Sequence, residues 1–274
     1  MRRKVLLIGA NGFVGQIIAE SLKDNFQMIP TAGHHKPEDG YQLAVEEPNE
    51  LVNILSHENP EIVISSIRGN YQAQLEFHKM LANWLAPKGK RLIYISTANV
   101  FDGNLSKPWT EDDLLNPKSD YGCFKRDCEN MLESMLGDQL TVLRLAAVWN
   151  VNCPRVRQLE LHSHSGEPYR TYPNYMINVT FAEQIGEYTK YILDHNLHGI
   201  FHVATTDTVN YFSFEKMVCK ALKIKLPQFV AEAASEKIFF AILPGRKEIP
   251  NKLQMTVSDV LSALKSTQNQ QFPV

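Results

Sequence analysis

V-L-L-I-G-A-N-G-F-V-G, residues 5–15, decides the fold. Its first four residues form an unbroken apolar run, as in a strand covered on both faces of a parallel sheet. Gly9, Gly12 and Gly15 follow at intervals of three, and Val14, Ile17, Ile18 and Leu22 then recur at helical spacing. Strand, glycine turn and helix with nothing between them is the setting a dinucleotide-binding turn requires. Gly9 makes the tight turn and Gly12 lets backbone N–H groups approach a pyrophosphate. Gly15 lets the helix lie close on the strand, its N-terminus toward the phosphates. Asn11, Phe13 and Val14 share the turn and join the expected cofactor-binding residues.

Outward from that turn, residues 26–31 read as a second strand, ended by the turn Gly33-His34-His35-Lys36-Pro37. NAD-binding folds usually place an acid here for the ribose hydroxyls. His34, His35 and Lys36 instead suit the additional phosphate of NADP, with NAD still possible. Residues 62–65 form a buried strand, and Ser65, Ser66 and Ile67 lie at its C-terminal end, where open α/β sheets bind ligands. A helix over 71–85, a strand over 91–96, a helix from Ser119-Asp120 through 136 and a strand over 140–145 continue the alternation. Ile95 and Ala147, close to strand ends, complete the expected cofactor-binding set. From 150 to 178 the periodicity fades; a helix over 179–194, a strand over 200–203 and a helix over 213–222 follow. The pattern predicts an α/β protein with one Rossmann-type, doubly wound parallel sheet and a smaller C-terminal lobe. Residues 1–150 and 179–204 form the expected NAD(P)-binding domain, and 151–178 with 205–274 the substrate-binding lobe.

Chemistry concentrates at three positions. Tyr121 and Lys125 are four apart, hence one turn apart on one helix face. A free phenol, with a pKa of about 10, exchanges protons poorly at neutral pH. A neighbouring ammonium, or an oxidised nicotinamide, favours the phenolate and brings the group into use. The lysine can also hold the cofactor ribose. Thr97 stands just past a strand end, where its hydroxyl can reach the same substrate oxygen.

With these pieces in place the sequence resembles an extended short-chain dehydrogenase/reductase, most of all the dTDP-4-dehydrorhamnose reductase group of nucleotide-sugar enzymes. The matching stretches are G-A-N-G-F-V-G (9–15), I-S-T-A-N-V-F-D-G (95–103), Y-G-C-F-K (121–125), L-R-L-A-A-V-W around Arg144 and G-I-F-H-V (199–203). The resemblance implies catalytic roles for Thr97, Tyr121 and Lys125, and NADPH-dependent reduction of a ketone on a nucleotide-linked sugar. It also makes a homodimer an expected assembly. Ser96, Asn99, Arg155, Arg246 and Lys252 are the expected substrate-binding residues, the cations facing a diphosphate. Three positions depart from the family: Ala98 replaces an acid after Thr97, Ala44 replaces an acid after the second strand, and Ile249-Pro250 replaces Arg-Pro. These departures keep open a cofactor-binding regulatory or scaffold protein, like the methionine adenosyltransferase β subunit, which resembles the same group. A nucleotide-sugar epimerase or dehydratase is the remaining alternative.

Composition narrows the partners. Across 274 residues, 28 basic and 30 acidic side chains give a net charge of -2, which does not suggest nucleic acid or a membrane surface. No apolar run approaches the roughly 20 residues that span a bilayer. The first strand begins so early that no signal peptide is expected. The four cysteines lack metal or redox spacing, so reduced thiols in a cytoplasmic protein are expected. His162 and His164 have no third ligand at a metal-binding spacing. Tyr169, Tyr172 and Tyr175 are expected to pack the smaller lobe.

Overall fold

A computed structural model describes residues 2–232 and 236–271. In chain order it contains β1 (Lys4–Ile8), α1 (Phe13–Leu22), β2 (Gln27–Ala32), β3 (Tyr41–Gln42), α2 (Pro48–Glu58), β4 (Ile62–Ser65) and α3 (Tyr71–Leu85). Next come β5 (Arg91–Thr97), α4 (Asp120–Leu136), β6 (Leu140–Leu145), β7 (Ala147–Trp149), α5 (Pro154–Ser165), β8 (Tyr169–Thr171), β9 (Tyr175–Ile177) and β10 (Val179–Phe181). The chain continues through α6 (Ala182–Asp194), β11 (Gly199–Val203), β12 (Val209–Asn210), α7 (Tyr211–Ala221), β13 (Phe229–Ala231), β14 (Ile238–Phe240) and α8 (Val257–Gln271).

Seven strands form the expected parallel sheet, ordered β11-β6-β5-β4-β1-β2-β3. The first three strands step outward from β1, and the chain then returns to lay β4 on the other side of it. Val5 pairs with Ile62 and Ile8 with Ser65, while Ile8 also pairs with Thr31 on β2. The order of strands therefore reverses between β1 and β4, and a crevice opens where their C-terminal loops part. Leu6, Ile8, Val63, Leu92 and Tyr94 enter the core with Phe77, Leu81 and Leu132 of the covering helices. Strands covered from both sides cannot alternate in polarity, which is why they read as continuous apolar runs.

The chain divides into two compact units. Unit 1 comprises Met1–Gly103, Leu115–Arg144 and Ile185–Phe201; unit 2 comprises Asn104–Leu114, Leu145–Gln184 and His202–Val274. Relative to the expected boundaries, residues 104–114, 145–150, 179–184 and 202–204 group with the smaller unit. Residues 233–235 and 272–274 of the expected lobe lie outside the described residues.

Unit 2 holds the elements that the fading periodicity hid. Helix α5, strands β8 and β9, strands β13 and β14 and helix α8 all occupy stretches with no expected element. The expected helix over 179–194 is two elements: Val179-Thr180-Phe181 pairs as β10 with β7, and α6 starts only at Ala182. Small sheets join β12-β9-β14 and β8-β13. Tyr172 stacks on Tyr175 at 4.9 Å, so both do pack this unit. Glu215, fully buried, accepts hydrogen bonds from Tyr169 at 2.9 Å and Thr171 at 2.5 Å. Burial pushes its carboxyl up, and the hydroxyls of Thr171, Tyr169 and Tyr211 oppose that shift.

Candidate active site

The glycine turn is fixed from both sides. Gly9 and Ala10 donate their N–H groups to the Thr31 carbonyl at 3.0 and 2.8 Å. Ser66 donates its hydroxyl to the Ile8 carbonyl at 3.2 Å, tying the loop after β4 to the end of β1. Gly9 has φ +88°, and a Cβ there would lie 3.0 Å from the Ser66 carbonyl oxygen. A Cβ on Gly15 would run into the Gly9 carbonyl oxygen, so α1 lies on the turn at backbone distance. Gly12 caps α1 with no side chain of its own, leaving the first-turn N–H groups directed outward. A narrow backbone cradle with free amides at a helix N-terminus fits a dinucleotide pyrophosphate.

Asn11, His34, His35 and Lys36 are exposed beside that turn, with the Asn11 amide donating to the His35 carbonyl at 3.1 Å. Phe13 and Val14 are half-buried in the first turn of α1. Ser65 departs from its expected place at the cofactor. Its hydroxyl lies 2.8 Å from His78 Nε2 inside the core. His78 Nδ1 sits 2.7 Å from the Gln74 carbonyl, which only accepts, so Nδ1 carries the proton and Nε2 accepts from Ser65. Burial, aided by the nearby Lys125 charge, pushes His78 down to about 3 and keeps it neutral. Ile67 is half-buried against the core, and Ala147 is half-buried in β7 of unit 2.

Tyr121 and Lys125 both sit on α4, which starts where the Ser119 hydroxyl accepts the Gly122 N–H at 3.0 Å. Lys125 is buried; its ammonium donates to the Ile95 carbonyl at 2.8 Å and lies 4.5 Å from the centre of the Tyr94 ring. Burial brings its pKa down to about 8, opposed by the neighbouring Cys128 and Glu129, with Arg68 lowering it further. Ile95 thus meets the lysine through its backbone oxygen, while its own side chain is buried.

The electrostatics of Tyr121 differ from the expectation that Lys125 activates it. Burial raises the phenol above its ordinary value of 10.0, Arg68 and a hydrogen bond with the Thr97 hydroxyl draw it back, and Tyr71 pushes it up. The lysine ammonium is 6.0 Å from the Tyr121 ring centre and spends its short contact on Ile95. Arg68, in the loop after β4, is the cation acting on the phenol. Its signal in the sequence was its position: a lone guanidinium in a loop at the carboxyl end of a sheet strand. Tyr71, next along, has its ring 6.0 Å from Tyr121 and stacks on Phe124 at 4.8 Å. Through Arg68 the phenol borders the loop after β4, whose Ser66 braces the glycine turn.

Two expected substrate residues turn out to be committed elsewhere. The Ser96 hydroxyl donates to Glu129, which in turn pairs with Arg144 at 2.7 Å; that ion pair has side chains only 2% and 5% exposed. Consecutive strand residues face opposite sides, so Ser96 points into the core whenever Thr97 points out of it. The Asn99 side chain accepts from Thr97 Oγ1 at 3.0 Å and donates to Asp102 at 3.3 Å. The remaining candidates belong to unit 2. Arg155 is exposed in the first turn of α5, its guanidinium 5.8 Å from the Trp149 ring centre. Arg246 pairs with Glu248 at 2.7 Å, and Lys252 is exposed in the 3₁₀ turn Asn251–Leu253. Ile249 is buried, so apolar packing occupies the place of the family's arginine. Ala98 is buried as well.

Among the described residues no helix is long and apolar enough to cross a membrane, and no three His, Cys, Asp or Glu side chains stand together as a metal site. Cys128, Cys153 and Cys219 are buried free thiols, and Cys123 is half-buried.

The family model for the RmlD substrate-binding domain matches residues 3–244. The chain belongs to that family. RmlD-family proteins are extended short-chain dehydrogenases/reductases, NAD(P)-dependent oxidoreductases of sugar nucleotides. Among relatives, methionine adenosyltransferase 2 subunit beta of Bos taurus is 23% identical over 81% of this chain and 73% of its own. A probable dTDP-4,6-dihydroxy-2-methyloxan-3-one 4-ketoreductase of Streptomyces antibioticus is 30% identical over 52% of this chain and 50% of its own. The RmlD fold is equally evident in the crystal structure of dTDP-4-dehydrorhamnose reductase from Bacillus anthracis in complex with NADP. That structure has a TM-score of 0.79 and 18% identity, covering 97% of this chain and 98% of the other.

Proposed function

We propose that this RmlD-family chain is an NADPH-dependent reductase of a keto group on a nucleotide-activated sugar. The observation that carries the reading is that Thr97, Tyr121 and Lys125 meet in one unit, beside the loop that braces the glycine turn. The backbone amides at the start of α1 would hold the cofactor pyrophosphate, and His34, His35 and Lys36 its 2′-phosphate. Lys125, charged below about 8, would hold the nicotinamide ribose. The bound cofactor supplies the hydride that reduces the carbonyl carbon.

Every other requirement falls on the protein. Thr97 reaches the phenol and is placed to orient the carbonyl oxygen. Tyr121, its pKa raised by burial, stays protonated at neutral pH and can pass its proton to the oxygen as charge builds there. Arg68 then stabilises the phenolate left behind. Exposed Arg155 and Lys252 of unit 2 are the proposed diphosphate contacts; Arg246 would first have to leave Glu248. Replacing Tyr121 with Phe should abolish NADPH oxidation against a panel of nucleotide-4-keto-sugars while leaving NADPH affinity within about twofold, as removal of a proton donor alone would do. Undiminished turnover would reject the assignment.

A second reading is favoured by buried Ala98 and Ile249 and by the methionine adenosyltransferase relatives: a cofactor-binding regulatory subunit. NADPH binding without oxidation of any sugar, together with co-purification of a partner enzyme, would select it. Substrate turnover without net NADPH consumption would point to epimerisation or dehydration instead. We also propose a homodimer, which sedimentation would test.

A further inference from the structure

The Thr97 hydroxyl carries one proton, and two neighbours compete for it. Asp102 settles which one prevails. Its carboxylate accepts the backbone N–H of Lys118 at 2.5 Å and of Ser119 at 3.1 Å, the Ser119 hydroxyl, and the Asn99 side-chain amide at 3.3 Å. Burial pushes Asp102 up, but these donors outweigh it and hold the carboxyl below its ordinary range. An ionised carboxylate can only accept, so the end of Asn99 facing it must be the NH₂ group. The Asn99 oxygen therefore faces Thr97 and takes its proton across 3.0 Å. The Asn99 backbone N–H, 3.3 Å from Thr97 Oγ1, occupies one lone pair. One lone pair remains for the Tyr121 phenol.

The backbone holds these groups together. A Cβ on Gly122 would run into the Asn99 carbonyl oxygen, so α4 can set Tyr121 against this turn only with glycine beside it. Buried Ala98 stands where the family often carries an acid, and the carboxylate facing Asn99 is that of Asp102.

We propose that Asn99, oriented by Asp102, is a positioning residue that turns the Thr97 proton away from Tyr121, so that Thr97 accepts from the neutral phenol until a charged oxygen draws the proton across. No covalent bond changes at Thr97; its O–H rotates from the Asn99 oxygen to the oxygen that has gained charge. This rests on the reading of Tyr121 as proton donor, because its use is to keep the phenol protonated until substrate arrives. The other groups facing the phenol are Arg68 from the loop after β4, Tyr71 from α3 and Lys125 one turn along α4. All stay in place in the variants below.

The test is a ¹⁹F NMR titration of protein carrying 3-fluorotyrosine at its ten tyrosines, with the Tyr121 resonance identified by its loss in Tyr121→Phe. Fluorination lowers every phenol's pKa and brings the midpoint into a range the fold tolerates. Asn99→Ala should lower the Tyr121 midpoint by about 0.5–1 unit, the effect of one hydrogen bond released to the phenolate. Asn99→Ala should then add nothing in the Thr97→Val background, where no hydroxyl proton remains to be released. An unchanged or raised midpoint in Asn99→Ala, or an equal shift with and without Thr97, overturns the proposal. Should Asn99→Ala lose the dispersed spectrum of a folded chain, Asn99→Asp decides: it keeps an acceptor on Thr97 and adds charge, so its midpoint must rise. No turnover is read, so failure of the reductase reading and failure of this one remain distinguishable.

Discussion

Lys125 is a buried cation whose charge depends on pH within the working range. Its pKa in the folded chain is about 8, against an ordinary 10.5. Between these two values the unfolded chain holds the proton and the native one does not. Stability therefore rises with pH across that window. Urea denaturation at steps from pH 7.5 to 10 should show this rise in the wild type and a flatter profile in Lys125→Met. Cofactor affinity should move the opposite way, weakening above about pH 8 as the ammonium is lost. In the sequence, Tyr121, Lys125 and Thr97 stand out only in combination: a four-residue spacing, a strand-end hydroxyl and the family resemblance. Side-chain direction was not legible. Ser96 and Asn99 look equivalent to Thr97 as polar residues at a strand end, yet one faces Glu129 and the other turns back on Thr97 itself. Arg68 escaped because its partner, the Tyr121 phenol, lies far along the chain.

The elements divide by how they bury their apolar groups. β1, β4, β5, β6 and helix α3 could be read closely because covered strands are apolar throughout and α3 repeats an apolar stripe. Helix α5 buries only Val156 and Leu159, too few to give a stripe that the sequence displays. β10 reads as helix in the sequence because Val-Thr-Phe runs directly into the amphipathic α6. Contact between elements supplies the sharpest test at this scale. A methyl group at Gly15 would strike the Gly9 carbonyl, so Gly15→Ala must shift α1 off the turn. The expected cost is about 1–3 kcal/mol of overpacking, with NADPH affinity falling more than tenfold. Thermal melting and a fluorescence titration would measure the two effects. The buried pair joining α4 to β6 should be costlier to break. Glu129→Gln strands Arg144 in the core and should lower stability by about 3–5 kcal/mol in the same melting experiment.

Across the whole molecule, chain order and spatial grouping part company. Unit 2 is assembled from three separate stretches of chain, the last running from His202 to the end. That last stretch brings Ile242, whose carbonyl takes the buried Asn178 amide at 2.5 Å, and Glu215, which holds Thr171 and Tyr169. A chain ended after residue 204 should leave 145–184 without these partners. Hydrogen exchange should then be fast throughout 145–184 while β1, β4 and β5 keep their protection. Local sequence could not reveal this grouping, because each stretch is short and its partners are remote. The Ser119 hydroxyl has a related consequence. It accepts the Gly122 N–H that starts α4 and donates to the Asp102 carboxylate. One hydroxyl thus serves both the start of that helix and the carboxylate that orients Asn99, so trimming it in Ser119→Ala should loosen both at once.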